Sequence, residues 1–521
     1  MALINKLIVY FGGITVVTTV LSFLPIITLL VCLLMLKMSA SKSGAISFLV
    51  ALIICIFIFR PDLFGLSVML SKGFGLAVFV IFIIWGAMFL YNLVNEVGAL
   101  NVINKNISIL IDDKYVQFLF LAWVFAPFLQ GIAGFGVPVI VVTPILIAMG
   151  FDPVVSAAGV LLGHCWSISF GSMGSSIYAI DMVTKTAGKE IVPYMAIYGI
   201  LAMLIMGMAV SFVYGGKKYL SKGLPYVIIT SCVMGAVLYL LARLQMFSVI
   251  GLMTGISGLI TLFALYKIKN RKNGGSVKLY SDKLSLVESL LPYILIVLFS
   301  ITFFILGPKW AITLDFPGYT SLSGVEIAAE EGYVTFNLLK FPFSIILISS
   351  LLSMIVYRKR KCIDGKVFKK VISNTVKKCV PTSITLVFLL CMAQIMMDSG
   401  MISSIANLLV LIAASVYPAV SPFIGLLGAF ITGSNTNSNV LFGNLQEVAA
   451  TALSLSPAVM CSVQSIGASV GCAIGPTTVS LGSTSAQIIG QESKIYKLTL
   501  LPVIVAALVL GIANMIILYI F

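Results

Sequence analysis

Charged residues and histidine are scarce in this sequence of 521 residues. Only 9% of the residues are charged, His164 is the single histidine, and the nine cysteines form no C-x-x-C pair. These absences argue against a histidine-based metal cluster and a disulfide framework. The sequence also lacks paired catalytic carboxylates. We therefore expect neither enzymatic activity nor a cofactor.

Apolar residues make up 60% of the chain, a share far above that of soluble domains. Apolar runs of roughly 20 residues, long enough to cross a bilayer, recur along the whole length. Together with two interrupted regions, residues 117–180 and 403–490, they predict roughly 12 to 14 spanning or half-spanning helices. We expect an all-α polytopic membrane protein of the cell inner (cytoplasmic) membrane, in contact with membrane lipids.

The net charge of +15 is distributed in a way that argues against nucleic-acid binding. Most of the excess lies between apolar runs, around Lys222, from Lys267 to Lys283 and from Arg358 to Lys378. Short basic loops stay on the cytoplasmic side of a membrane. With Lys37 and Lys42 also inside, the N-terminus is expected outside, extracellular or periplasmic. We interpret the charge as a determinant of orientation rather than as a binding site.

The two halves of the chain begin in opposite orientations under this assignment, and they share a weak sequence match. "PFLQGIAGFG" (127–136) aligns with "AFITGSNTNS" (429–438), and each is followed by a second Gly/Ser-rich interruption, at 163–176 and 465–485. Paired helix breaks in oppositely oriented halves are typical of transporters built from inverted repeats. The expected units are an N-terminal repeat, 1–222, a linking pair of spans, 223–283, and a C-terminal repeat, 284–521.

Glycine and proline interrupt the first of these segments. Gly131, Gly134 and Gly136 permit a tight reversal between two short helices, and Pro138 suits the start of the next helix, where its missing N–H is not needed. A break at membrane depth survives only when it is buried in protein or faces a watery cavity. The alternative is that these glycines are packing sites for neighbouring helices.

Hydroxyl and amide side chains crowd the second segment, between apolar flanks. They are Thr432, Ser434, Asn435, Thr436, Asn437, Ser438 and Asn439. Such groups are costly in lipid, so they either form a surface loop or line a polar cavity at a half-helix tip. In a cavity, the positive end of a helix and these side chains would attract a small polar anion.

The substrate is therefore expected between two helical hairpins, the first from Gln130 to Gly136 and the second from Thr432 to Asn439. Supporting residues are expected from the other interruptions, near His164 to Ser175 and Gly475 to Ser485. His164 and Ser172 are the candidates from the first of these. A homo-oligomer is compatible with the sequence.

Four stretches, "FLQGIAGFGVPV", "GFDPVVSAAGVLL", "SFGSMGS" and "TGSNTNSNVLFGNLQ", resemble the L-lactate permease family. The resemblance implies a secondary transporter of lactate, glycolate or a related 2-hydroxy monocarboxylate, generally a proton symporter that works by alternating access. The family usually has an acid where this chain has Gln130, and often one where it has Asn435. Because Gln and Asn cannot titrate, proton coupling through these two positions is not expected.

Other residues are then candidates for coupling to H⁺ or Na⁺. His164 titrates near physiological pH and could carry a proton or bind a carboxylate, the alternative being a neutral buried histidine. Asp398 could relay protons or simply end a helix at the interface. Ser434, Asn435 and Thr436, beside exposed carbonyls, could hold Na⁺. The alternatives to a lactate symporter are a sodium-coupled carrier of another small carboxylate and an anion channel.

Lys72 and Arg243 lie in or beside apolar runs. Each could pair with a carboxylate, but we expect both to extend towards the membrane interface, as long basic side chains usually do. Basic residues are otherwise nearly absent from the expected cavity. Backbone dipoles would then account for most of the recognition of an anion.

Overall fold

A computed structural model of the chain describes residues 16–36, 38–132, 134, 136–269, 280–306, 310–320, 326–489 and 491–520. Several sequence predictions rest on residues outside this set. These are the N-terminal segment 1–15, Lys37, Phe135 of the first hairpin, and Arg271, Lys272 and Lys278 of the second basic loop. The external position of the N-terminus therefore stays a prediction.

Helices account for most of the first third of the chain. They are α1 (Val16–Leu30), α2 (Ala40–Ile54), α3 (Leu63–Glu96), α4 (Ala99–Leu110), α5 (Lys114–Leu119), α6 (Ala126–Ile132), α7 (Val137–Ala148), α8 (Pro153–Cys165) and α9 (Ser175–Val183). Aspartates begin three of them: Asp62, Asp113 and Asp152 each accept backbone N–H groups of the following turn. This capping satisfies donors that a helix start would otherwise leave unpaired.

The rest of the chain forms further helices and four short strands. The helices are α10 (Gly188–Arg243), α11 (Ile250–Lys269), α12 (Leu286–Leu306), α13 (Pro342–Lys359), α14 (Gly365–Asp398), α15 (Met401–Ala413), α16 (Tyr417–Thr432), α17 (Asn435–Ala452), α18 (Pro457–Gly471), α19 (Pro476–Ser485) and α20 (Glu492–Ile520). Short π-helical turns extend α1 and α2 and join α5 to α6, at Val31–Met35, Cys55–Phe59 and Phe120–Phe125.

The predicted all-α membrane fold is confirmed. Within the described ranges, ten helices are long and apolar enough to cross a membrane, and five shorter apolar helices accompany them. The helices α3 and α14 pack antiparallel. Trp85 Nε1 donates to Ser383 Oγ, and Glu96 Oε2 lies 2.8 Å from Lys370 Nζ. The chain is a multi-pass membrane protein.

The first predicted basic loop is instead a sharp reversal inside α10. Gly215 and Gly216 leave the helical conformation, and Gly216 has φ 69°. The two arms fold back on each other, since Gly223 packs against Ser211. Lys217 and Lys218 thus stand in helical backbone directly after the turn, where the sequence analysis placed a loop between two spans.

A small β element adds to the helical fold. β1 (Ala311–Phe316) pairs antiparallel with β4 (Glu330–Asn337), and β2 (Tyr319–Thr320) pairs with β3 (Glu326–Ile327). The β1–β4 pair packs on α3, where the Phe336 ring lies tilted against the Phe79 ring at 5.4 Å between ring centroids. The expected all-α fold did not include these strands.

Lys72 of α3 joins this β element to the end of α14. Its side chain is only 1% exposed, and its ammonium lies 3.0 Å from Glu330 Oε2 and 3.6 Å from Asp398 Oδ2. Tyr319 and Gln394 each donate a hydrogen bond to the Asp398 carboxylate. The expectation that Lys72 extends to the interface is wrong, because two acids balance its charge inside the protein. Arg243, at the end of α10, is exposed.

We expect Lys72→Met to destabilise the protein by about 3–5 kcal/mol, because it leaves Asp398 buried without its cation. Adding Asp398→Asn to Lys72→Met should recover part of the loss. The measurement is the unfolding midpoint of the purified protein in detergent. Lys377→Met, at an exposed position of α14, is the control. Equal midpoints for Lys72→Met and Lys377→Met would contradict the structural role of the ion pair.

Candidate functional site

The first hairpin consists of α5, the π-helical turn and α6 as one arm and α7 as the other. At its base, Lys114 Nζ donates to the Met149 carbonyl at 2.9 Å, so the start of the first arm meets the end of the second. Helix α8 then runs beside the first arm in the same direction, with Gly159 against Phe118. The first arm ends at Ile132 and the second begins at Val137.

The second hairpin repeats this arrangement with α16 and α17. Gly433 forms the reversal with φ 67°, and Ser438 Oγ donates to the Gly425 carbonyl at 2.9 Å across the two arms. Helix α18 runs beside α16 in the same direction, with Gly467 against Pro422. Each half of the chain thus contains a hairpin followed by a helix that ends at the level of the hairpin tip.

The broken helices α8 and α18 meet where they end. The Ser169 N–H donates to Ser469 Oγ at 3.0 Å, and Ser469 Oγ donates to the Cys165 carbonyl at 2.6 Å. Ser169 Oγ donates to the Ser465 carbonyl at 2.9 Å. The Ser469 hydroxyl of the second half therefore satisfies two backbone groups at the helix break of the first half.

Two asparagines of α17 join this contact. The side-chain amide of Asn435 lies 2.8 Å from Ser169 Oγ. Asn439 Nδ2 donates to the Ser176 carbonyl at 2.9 Å and to Ser465 Oγ at 3.0 Å. The Asn439 amide is fully buried and hydrogen-bonded between the two halves. Asn439 therefore supports the cavity wall but does not line the cavity.

A cavity of about 480 Å³ lies between the hairpin tips and helices α3 and α14. Its walls include most of the predicted site residues: Gln130, Gly136, His164, Ser172, Thr432, Ser434, Asn435, Thr436 and Asn437. Ser176, Thr477 and Thr478 join them from the starts of α9 and α19. No Asp or Glu of the described chain lines this cavity. Its polarity comes mainly from hydroxyl, amide and backbone groups.

Gly131 does not form the reversal, so that prediction is wrong. It lies in the last turn of α6, where a Cβ would collide with the backbone of Gly251 and Leu252 in α11. The packing alternative applies to this glycine. Gly136, with φ 79°, does serve the turn, and the Gly134 N–H donates to Ser172 Oγ at 2.8 Å.

The chain at the first broken helix holds an unusual conformation. Ser172 and Met173 have φ values of 48° and 54°, in the left-handed region, and Gly174 follows with φ 83°. Non-glycine residues in this region store strain, which is concentrated at functional sites in proteins. The hydrogen bond from Gly134 to Ser172 holds the strained turn against the first hairpin tip.

Four helices begin at the cavity. The cavity wall contains Gly136 before α7, Ser434 before α17, Ser176 in the first turn of α9 and Thr477 in the first turn of α19. Helix starts carry unpaired N–H groups and a partial positive charge, which favour anions. The opposing arms α6 and α16 end at the same place, where carbonyl oxygens favour cations.

His164 lies at the end of α8 and is buried. Its Nδ1 is 2.5 Å from the Val160 carbonyl oxygen, so Nδ1 carries a hydrogen and donates it. Nε2 is then the ring atom left to accept a hydrogen bond or a proton. Both predicted alternatives, proton carrier and neutral buried histidine, are compatible with this tautomer.

The structure does not bring Asp398 to the cavity. It places Asp398 in the ion pair with Lys72, at the opposite end of α14 from the basic run. It does bring Lys378 there, although the sequence analysis assigned this residue to the basic run that sets orientation. Lys378, Thr382 and Thr385 recur at helical spacing and all line the cavity, a pattern that could have identified Lys378.

Comparisons with known proteins found similar chains. A family model described as L-lactate permease matches residues 18–521. The chain is 28% identical to an L-lactate permease of Streptococcus iniae, over 84% of this chain and 92% of the relative. It is 25% identical to the glycolate permease GlcA of Escherichia coli K12, over 97% and 96%. The solved YdaH transporter of Alcanivorax borkumensis is similar over 87% and 88% of the two chains, with a TM-score of 0.45 and 12% identity.

We expect Gly131→Ala to destabilise the protein by about 1–3 kcal/mol, because the added methyl group collides with backbone that cannot rotate away. Gly365→Ala is the matched control, since nothing lies within 4 Å of a Cβ there. The unfolding midpoints of both variants in detergent test this. If Gly131→Ala unfolds at the same temperature as Gly365→Ala, the close contact between α6 and α11 is not as described.

Proposed function

Since the chain belongs to the L-lactate permease family, we propose that it is a secondary active transporter of L-lactate or a related 2-hydroxy monocarboxylate such as glycolate. The observation that supports this most is the cavity between two facing hairpin tips, lined by hydroxyl and amide groups and by four helix starts. Its chemistry suits a small anion that also carries a hydroxyl group. Permeases named for lactate and for glycolate are among the relatives.

The substrate carboxylate would bind at the helix starts, near Ser434 and Thr477. The 2-hydroxyl group would exchange hydrogen bonds with Gln130 of the first hairpin or with Asn435, which follows Ser434 in the second. Amide side chains both donate and accept, so they match a hydroxyl group. Without an acid in the described cavity wall, nothing repels the carboxylate, and the neutral residues at positions 130 and 435 keep this property at any pH.

Alternating access would come from movement of the hairpin tips against α3 and α14. The cavity edge is exposed at Ser39, Lys378 and Thr477, while its far wall at Asn435 and His164 is buried. The open edge lies on the side of the basic run from Arg358, which we assign to the cytoplasm of an inner-membrane protein. This conformation is accordingly inward-facing. The two halves, 1–222 and 284–521, would act as inverted repeats joined by 223–283.

Transport would be coupled to H⁺ or to Na⁺. His164 Nε2 is the proton-accepting candidate within the cavity, since Gln130 and Asn435 cannot titrate. Ser434 to Thr436, beside the carbonyl end of α16, offers the oxygen ligands that Na⁺ prefers. The second arrangement supports the alternative function, a sodium-coupled carrier of another small carboxylate.

We expect purified protein in proteoliposomes to accumulate radiolabelled L-lactate when one ion gradient is imposed, a proton gradient or a sodium gradient. His164→Gln should abolish proton-driven accumulation, and Ser434→Ala should weaken sodium-driven accumulation. A channel would equilibrate lactate without concentrating it against its electrochemical gradient. Folded wild-type protein that takes up no lactate under either gradient would contradict the proposed function.

Replacing the amides of the site should impair transport strongly. We expect Gln130→Leu and Asn435→Leu each to lower L-lactate uptake by about 10- to 100-fold. Each substitution removes about 1–3 kcal/mol of hydrogen bonding to the substrate and to neighbouring residues. Asn101→Leu, at an exposed position of α4, is the control for the same chemical change. Wild-type uptake by both folded site variants would show that the substrate binds elsewhere.

A further inference from the structure

Lys378 is the one formally charged side chain among the described residues that line the cavity. It lies on α14, one turn before Thr382 and two turns before Thr385, and all three face the cavity. Its ammonium group lies 5.0 Å from the centre of the Tyr91 ring of α3. The ring attracts the ammonium through its π face and holds it at the exposed edge of the cavity.

No carboxylate forms an ion pair with Lys378 within the part of the chain that the structure describes. Glu96 is near enough to act on its charge, but Glu96 is bound by Lys370 at 2.8 Å and by Asn374 at 3.2 Å. Lys72 offers a contrast, because two acids surround it. The charge of Lys378 is therefore available to an anion that enters the cavity.

The position of Lys378 also strengthens its attraction for an anion. Ile84 and Met88 of α3 form an apolar wall beside it, and charges attract more strongly near such a wall than in open water. A lysine ammonium on a flexible stem can follow a ligand as it moves, whereas an arginine prefers one planar geometry.

We propose that Lys378 binds the carboxylate of the substrate at the open, cytoplasmic edge of the cavity and exchanges it with the helix starts at the hairpin tips. The identity of the substrate as a 2-hydroxy monocarboxylate rests on the proposed function. The role of Lys378 as the anion-selecting residue of this cavity does not, since any small carboxylate would be attracted by the same charge.

The transport experiment compares Lys378→Gln, Lys378→Arg and Lys377→Gln in proteoliposomes. Lys377→Gln removes the same charge from the adjacent exposed position, which does not line the cavity. We expect Lys378→Gln to raise the KM for L-lactate about tenfold, as the loss of one favourable charge contact implies, with little change in maximal rate. Lys378→Arg should keep most of the affinity, and Lys377→Gln should behave as wild type.

The binding experiment uses purified protein and does not require transport. Unfolding midpoints are measured with L-lactate, acetate, pyruvate and the neutral isostere lactamide at equal ionic strength. We expect carboxylates to stabilise the wild type and Lys377→Gln more than lactamide does, and this difference to be smaller in Lys378→Gln.

The outcomes separate the two proposals. Carboxylate stabilisation that depends on Lys378, in a protein that transports no lactate, supports the role of Lys378 and contradicts the proposed substrate. Lactate transport with the same KM in Lys378→Gln and Lys377→Gln supports the proposed function and overturns the role of Lys378. If no carboxylate stabilises the wild type more than lactamide does, the role of Lys378 is also overturned.

Discussion

Backbone groups at helix breaks inside a membrane protein must be satisfied by the protein itself, and the rest of this structure depends on how that is done. Two hairpins reverse at their tips, two helices stop beside them, and the stops face each other. Ser169 and Ser469 bind backbone groups across the interface between the halves. The break of the first half is stabilised by the Ser469 hydroxyl, which the second half provides.

The same constraint explains where charges are found. Apart from Lys378, the polar groups that line the cavity are mainly neutral hydroxyl, amide and backbone groups. The buried ion pair of Lys72 and Asp398 lies outside the cavity and connects α3, α14 and the β element. Lys378 lies at the open edge of the cavity. A cavity with neutral polar walls and one cation at its open edge suits an anionic substrate that must be bound and then released.

Much of the site could be predicted from the sequence, because hydroxyls and amides such as Asn435 are expensive in lipid and therefore conspicuous in an apolar chain. The fold class followed from the apolar runs in the same way. Partners distant along the chain could not be predicted: nothing local indicates that Gly131 packs on α11, or that Lys72 meets Asp398. The sequence analysis assigned Lys378 to the cytoplasmic basic run because basic residues precede it. Its position at the cavity follows from the helix α14, which continues past it to Asp398.

We propose that the substrate binds between the two hairpin tips, and protection of an introduced thiol against labelling tests this most directly. Ser434→Cys places a thiol in the cavity wall, and Lys105→Cys places one at an exposed position outside it. Labelling of each by a small thiol reagent is followed with and without saturating L-lactate, against the parent protein. The account requires L-lactate to slow labelling at position 434 and leave position 105 unchanged; equal rates at position 434 would contradict it.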